Sequence, residues 1–193
     1  EVTVMFWNVE NFFDPFDDPL KNDNEYTAQA VTHWTWGRFE KKRDLIGKTI
    51  IASASVTGEL PAIIGLAEVE NRLTVRQIAA KSPLAELGYG YIHRESPDQR
   101  GIDVAMLYRK DRFRPIVVDS LRVSGFETRD ILYVKGLVIG GAASAFDGGN
   151  HDSGGNGENP GGGIGSNSIG ENPGGGRVSD GLIGAGDTLH IFV

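Results

Sequence analysis

Cysteine is missing from all 193 residues, which excludes disulfides and thiolate metal sites and fits a reducing or an oxidising compartment equally. No apolar run is long enough to span a membrane. Nor is there a block of basic residues. The net charge is -7, so broad electrostatic capture of long nucleic acid is not advertised, although a local basic cleft stays open as a reading. Large apolar side chains are scarce in one region only. Eighteen of the 27 glycines fall between Gly140 and Gly186, so the first two thirds of the chain has ordinary globular composition and the remainder does not. An initiator Met and a signal-type apolar region are also lacking. The start at Glu1 suits a processed mature chain or a trimmed one and leans toward a secreted or periplasmic location.

What is present organises itself around Ile63 to Arg72, IIGLAEVENR. Its apolar part reads as a strand buried on both faces, and it ends in Glu68, Glu70, Asn71 and Arg72. A buried strand that delivers a carboxylate at its end is a way to hold a hard cation or a polar ligand, and equally a strand that stops at a solvated loop. Val2 to Trp7 reads as another central strand, handing Asn8, Val9, Glu10 and Asn11 to a loop, and Phe12 to Asn24 as irregular chain. Apolar spacing predicts a helix from Trp36 to Ser55, with Lys41 and Lys42 on its solvated face and Gly47 costing about 1 kcal/mol relative to Ala. A second helix is expected over Thr74 to Leu87, broken near Ser82 and Pro83. Strands are expected at Tyr89 to His93, Ile102 to Tyr108, Phe113 to Val123, Ile131 to Ile139 and Thr188 to Val193. This order is that of an α/β layered domain. Asp103 opens an apolar strand and needs a partner if buried; Arg100 or another cation can supply one. His33, His93, His151 and His190 do not cluster at metal-ligand spacing and read as ordinary polar or packed residues.

Between the last two strands, GENPGGG occurs at Gly157 to Gly163 and again at Gly170 to Gly176. So few large apolar side chains cannot offset ordering entropy, so a loosely held loop is the default. Closing such a loop instead of a short one costs only about 2 kcal/mol. A sharper reading is calcium binding of the nonapeptide type, since GGIGSNSI at Gly162 to Ile169 fits the glycine spacing. Asn, however, stands where that pattern carries Asp.

Three phrases in order, FWNVENFFD (Phe6 to Asp14), GLAEVENR (Gly65 to Arg72) and RGIDVAMLYR (Arg100 to Arg109), followed by RDILYVKG and TLHIFV, resemble the endonuclease/exonuclease/phosphatase superfamily with its deoxyribonuclease-I-like fold. The resemblance implies a four-layer α/β sandwich of two mixed β-sheets with outer helices, incomplete at the C-terminus. Residues 1–139 would form the N-terminal part of the phosphoesterase domain, 140–187 a flexible glycine-rich insertion, and 188–193 the next core strand. It also implies hydrolysis of phosphodiesters or phosphomonoesters with Mg2+, or Mn2+ or Ca2+ in its place. Glu68 would be the acidic metal ligand, Asn8 a contact to the metal or the scissile phosphate, Glu10 a second metal-proximal acid, and Arg100 and Asp103 substrate-binding residues at the rim. The substrate would be a nucleic acid or a smaller phosphorylated molecule.

Relatives carry three more motifs, NHWPSR-like, GDFND-like and a C-terminal His with its Asp. All three would follow TLHIFV, where the sequence stops at Val193. The chain alone is therefore expected to be inactive, its C-terminal half being supplied by a longer native chain or a second chain. The alternative is a non-catalytic remnant or binding module that presents the glycine-rich, calcium-binding loop.

Overall fold

The computed structural model describes residues 1–140 and 186–193. The order is β1 (Val4–Phe12), α1 (Trp36–Thr57), β2 (Ile63–Val69), α2 (Arg72–Lys81), β3 (Tyr89–His93), β4 (Asp103–Arg109), β5 (Phe113–Leu121), β6 (Ile131–Val138) and β7 (Thr188–Phe192). Four strands form a mixed sheet in the order β1-β2-β4-β3, with β1 and β2 parallel and the other pairs antiparallel. The remaining three form an antiparallel sheet, β5-β6-β7. β2 lies inside the first sheet and is covered on both faces, which is why its sequence is apolar without alternation.

Successive β2 residues feed two different cores. Ile64 and Leu66 join Phe39, Ile46 and Ile50 of α1 and Val75 and Ile78 of α2 under the helices. Ile63 joins Met106, Phe113, Leu132 and Val134 between the sheets. The layers are therefore helices, mixed sheet and antiparallel sheet. This is the expected α/β sandwich, with three of its four layers among the described residues. Most of the glycine-rich insertion at 140–187, with the whole of its calcium reading, lies outside the described residues.

Two boundaries differ from expectation for local reasons, and a third is as expected. β1 continues past Trp7 to Phe12 because Phe12 is fully buried and pairs in register with Val69. α2 begins at Arg72, where Asn71 caps it: Asn71 Oδ1 accepts from the Thr74 amide at 3.0 Å and Thr74 Oγ1 accepts from the Asn71 amide at 3.3 Å. The break at Ser82 is real, and a separate 3-10 turn covers Ala85–Leu87.

Gly47 has a packing reason that propensity does not show. A Cβ there would stand 2.6 Å from Ser82 Oγ, 2.9 Å from Ser82 Cβ and 3.0 Å from Pro83 Cδ, where α1 meets the chain leaving α2. Ser82 Oγ cannot easily give way, since it donates to Ile78 O and accepts from the Leu84 amide. Gly47→Ala should therefore destabilise by about 1–2 kcal/mol despite Ala's better helix propensity. A urea midpoint at or above that of the parent chain would show that the contact relaxes freely.

Candidate active site

The apolar pattern of β2 changes phase at its end. Ile64 and Leu66 face the helices, and so does Val69, although alternation from Leu66 would send residue 68 to that side. The pairing shows how: β2 advances two residues, Ala67 to Val69, while β4 advances one, Val104 to Asp103. Glu68 is the extra residue of a β-bulge, with φ of 64°. Beside it β1 advances four residues, Asn8 to Phe12, against two on β2, and Glu10 and Asn11 have φ of 57° and 55°. Two neighbouring strands thus switch phase together. Val69 and Phe12 stay in the core while Asn8, Glu10, Asn11 and Glu68 are turned out of it.

These groups hold one another. Glu68 Oε1 accepts from Asn8 Nδ2 at 3.0 Å and Glu68 Oε2 from the Asn11 amide at 3.1 Å. Asn8 Oδ1 accepts from the Glu10 amide at 2.8 Å. Lys42, on α1, donates to Glu10 O and to Asn11 O, the latter at 3.3 Å, with its ammonium 5.8 Å from the centre of the Trp34 ring. The reading of Lys42 as a solvated helix residue is corrected by these bonds. Burial pushes its pKa down, while the charges of Glu10 and Glu68 pull it back up. The ammonium ties the left-handed segment of β1 to the helix, a role that helical periodicity cannot reveal.

Arg129, which sequence reasoning passed over, brings its guanidinium to 3.7 Å from Glu68 Oε1. Arg100 is exposed and fixed in place by the buried Asp98, at 2.9 Å from Nη2 to Oδ2 and 3.2 Å from Nε to Oδ1. Its pKa is raised, chiefly by the Asp98 hydrogen bonds, with Glu68's charge adding to the effect. Two guanidinium groups therefore lie within the electrostatic reach of Glu68. A groove of about 400 Å³ runs beside Arg100, lined by Asn22, Asp98, Gln99, Glu127 and Thr128. Asp103 takes a different position. It is 2% exposed, and its carboxylate meets His93 Nε2 at 3.1 Å and the Ser96 amide at 3.0 Å, not Arg100.

The donor set fits a hard divalent cation. Mg2+ is commonly held by one or two carboxylates and keeps its other positions for water and phosphate oxygens. Glu68 offers a half-buried carboxylate at the bulge, Glu10 an exposed one, and Asn8 Oδ1 a lone pair beyond its bond to the Glu10 amide.

Glu70 points the other way. Its Oε2 accepts from the Asp14 amide at 2.5 Å, and it is buried. Burial pushes its carboxyl up to about 8 against the pull of that amide, and the charges of Asp14 and Asp23 add to the rise. A carboxyl that titrates higher when folded stabilises fully below its unfolded pKa, about 4.5, and loses that contribution as pH rises through about 8. In metal-free buffer the chain should thus be less stable at pH 9 than at pH 5 by roughly a few kcal/mol. Glu70→Gln should flatten the difference in urea titrations. An unchanged slope in that variant would place the titrating group elsewhere.

The family model described as Endonuclease/Exonuclease/phosphatase family matches residues 3–157. No curated protein matches the chain. Among solved structures, the chain is similar to a mannosyl-6-phosphatase of Bacteroides thetaiotaomicron at 15% identity and a TM-score of 0.43, covering 72% of this chain and 46% of that one. It is similar to an endonuclease/exonuclease/phosphatase family protein of the same organism at 14% identity and 0.42, covering 72% and 45%. The human Nocturnin catalytic domain, with a bound sulfate anion, follows at 19% identity and 0.41, covering 72% and 44%. The chain thus spans less than half the length of these structures.

Proposed function

Since the chain belongs to the endonuclease/exonuclease/phosphatase family, we propose that it is the N-terminal part of a divalent-metal-dependent phosphoric-ester hydrolase. The observation that carries this reading is the paired phase change of β1 and β2. It turns Glu68, Asn8 and Glu10 outward together and sets Arg129 and Arg100 around them.

When bound, the metal would polarise the phosphoryl group and stabilise the charge that develops as water attacks in line. The chain's own residues prepare that event. Glu68 supplies the anionic ligand, and Asn8 Nδ2 and the Asn11 amide fix its two oxygens. Arg100, pinned by Asp98, and Arg129 supply guanidinium donors suited to phosphate oxygens. Asp103 supports the rim from inside by anchoring the Ser96 amide. In this reading the base for the attacking water comes from the C-terminal half of the family's domain. The substrate class is a phosphodiester or phosphomonoester.

The test compares this chain with a longer one carrying the residues that follow Val193, on phosphodiester and phosphomonoester model substrates with Mg2+. Turnover that appears on extension supports the reading. An extended, folded protein inactive on both substrate types would favour a binding module instead.

A further inference from the structure

Away from the Glu68 cluster, at the inner end of the β3-β4 hairpin, three side chains meet that sequence spacing leaves apart. The pairing of His93 with Ala105 brings β3 beside the start of β4, so His93, Glu95 and Asp103 each place a ligand atom within 4.8 Å of the others. His93 Nε2 is 3.1 Å from Asp103 Oδ2, and His93 Nδ1 is 3.7 Å from Glu95 Oε1. The side chains of His93 and Asp103 are 2% and 3% exposed, while that of Glu95 is 64% exposed.

A neutral imidazole carries one N–H, so it can donate toward only one of the two carboxylates and turns a lone pair toward the other. Among the described residues, neither carboxylate has a Lys or Arg in an ion pair. The nearby Lys21 spends its ammonium on the carbonyls of Ser96 and Asp98, at 3.4 and 2.9 Å. A cavity of about 160 Å³ adjoins Glu95 and is lined by Asp18, Lys21, Glu70, Asn71 and Gly101, so polar side chains surround the opening through which an ion would enter. One ring nitrogen can serve an ion, and since one ligand atom from each residue lies within 4.8 Å of the others, a modest turn of the exposed Glu95 side chain brings the three toward the spacing of about 3–3.4 Å that ligands about 2.1 Å from a metal require. Two ligands are held rigidly by burial, and the third reaches solvent, from which an ion can enter.

We propose that His93, Glu95 and Asp103 form a second cation site, independent of Glu68. One imidazole and two carboxylates suit a first-row transition ion such as Mn2+ or Zn2+ better than Ca2+. A filled site would tie β3 to β4 and hold the Ser96 amide that Asp103 anchors, stiffening the loop that carries Asp98 and Arg100.

The experiment titrates Mn2+ into the full chain and into Glu68→Gln, reading free Mn2+ by electron paramagnetic resonance and the His93 ring signals by NMR. Glu68→Gln should still bind one Mn2+ and broaden the His93 signals. Adding Glu95→Gln, an exposed change that leaves folding intact, should weaken that binding at least tenfold. Adding His93→Gln should abolish it, with circular dichroism reporting the fold. Overturning results are Glu68→Gln that binds no Mn2+, which would mean that a proton holds the trio together, or bound Mn2+ indifferent to Glu95→Gln. Neither outcome touches the hydrolase reading, which rests on Glu68 and the extended chain.

Discussion

In the extended protein, Glu68→Gln should lower kcat/KM by about a thousandfold or more, equivalent to about 4 kcal/mol of transition-state stabilisation. The argument rests on charge. Gln keeps the length of the side chain and can accept from Asn8 Nδ2 or from the Asn11 amide, so most of the network survives. The anionic oxygen that a hard cation requires is lost, and Arg129 is left 3.7 Å from a neutral group. Stability should change by only about 1 kcal/mol, the scale of one hydrogen bond. Steady-state kinetics with Mg2+, alongside urea unfolding of the same sample, separates the two quantities. Activity within tenfold of the parent, with the fold intact, would remove Glu68 from its proposed role.

The second large effect is on stability. Phe39 of α1 is completely buried and stacks on Phe12 at 4.8 Å with an interplanar angle of 5°, and on Trp36 at 4.8 Å and 23°. Phe12 closes the phase change of β1, so this ring joins the helix to the strand end that carries Asn8 and Glu10. Phe39→Ala should cost about 3–5 kcal/mol, a transfer loss plus a cavity between two rings that cannot collapse together. Against a typical total of about 5–15 kcal/mol, that leaves the domain close to unfolding at ambient temperature. Phe39→Leu keeps more of the volume and should cost clearly less. Urea midpoints for the pair settle it, and equal midpoints would mean that the volume Leu retains contributes nothing at this position.

Much of this was readable before any coordinates. The unbroken apolar run at Ile63 marked the strand covered on both faces, and the order of phrases around Asn8, Glu68 and Asp103 pointed to the family that the model of residues 3–157 confirms. The phase change at Glu68 was not readable. A bulge adds a residue without altering composition, so the pattern LAEV reads equally as a regular strand. Lys42 was misread because helical spacing shows which face a side chain occupies, not which carbonyls of another strand lie opposite. Arg129 gave no signal because its meeting with Glu68 bridges 61 positions of sequence. His93 and Asp103 were each noticed, but only hairpin pairing shows that one answers the other's need for a partner.

The bulge at Glu68 also says something about how the site can be inherited. Loss of the single codon for Glu68 would let Ala67 and Val69 follow one another in regular alternation. Val69 would still reach the helix-side core and still oppose Asp103. The strand would keep every apolar contact and lose its carboxylate. Point substitutions at that codon exchange the side chain but leave the outward-turned position in place. In this fold the site is therefore written in the length of the reading frame between Leu66 and Val69, and a lineage could shed it in one in-frame event while the core beneath stayed whole.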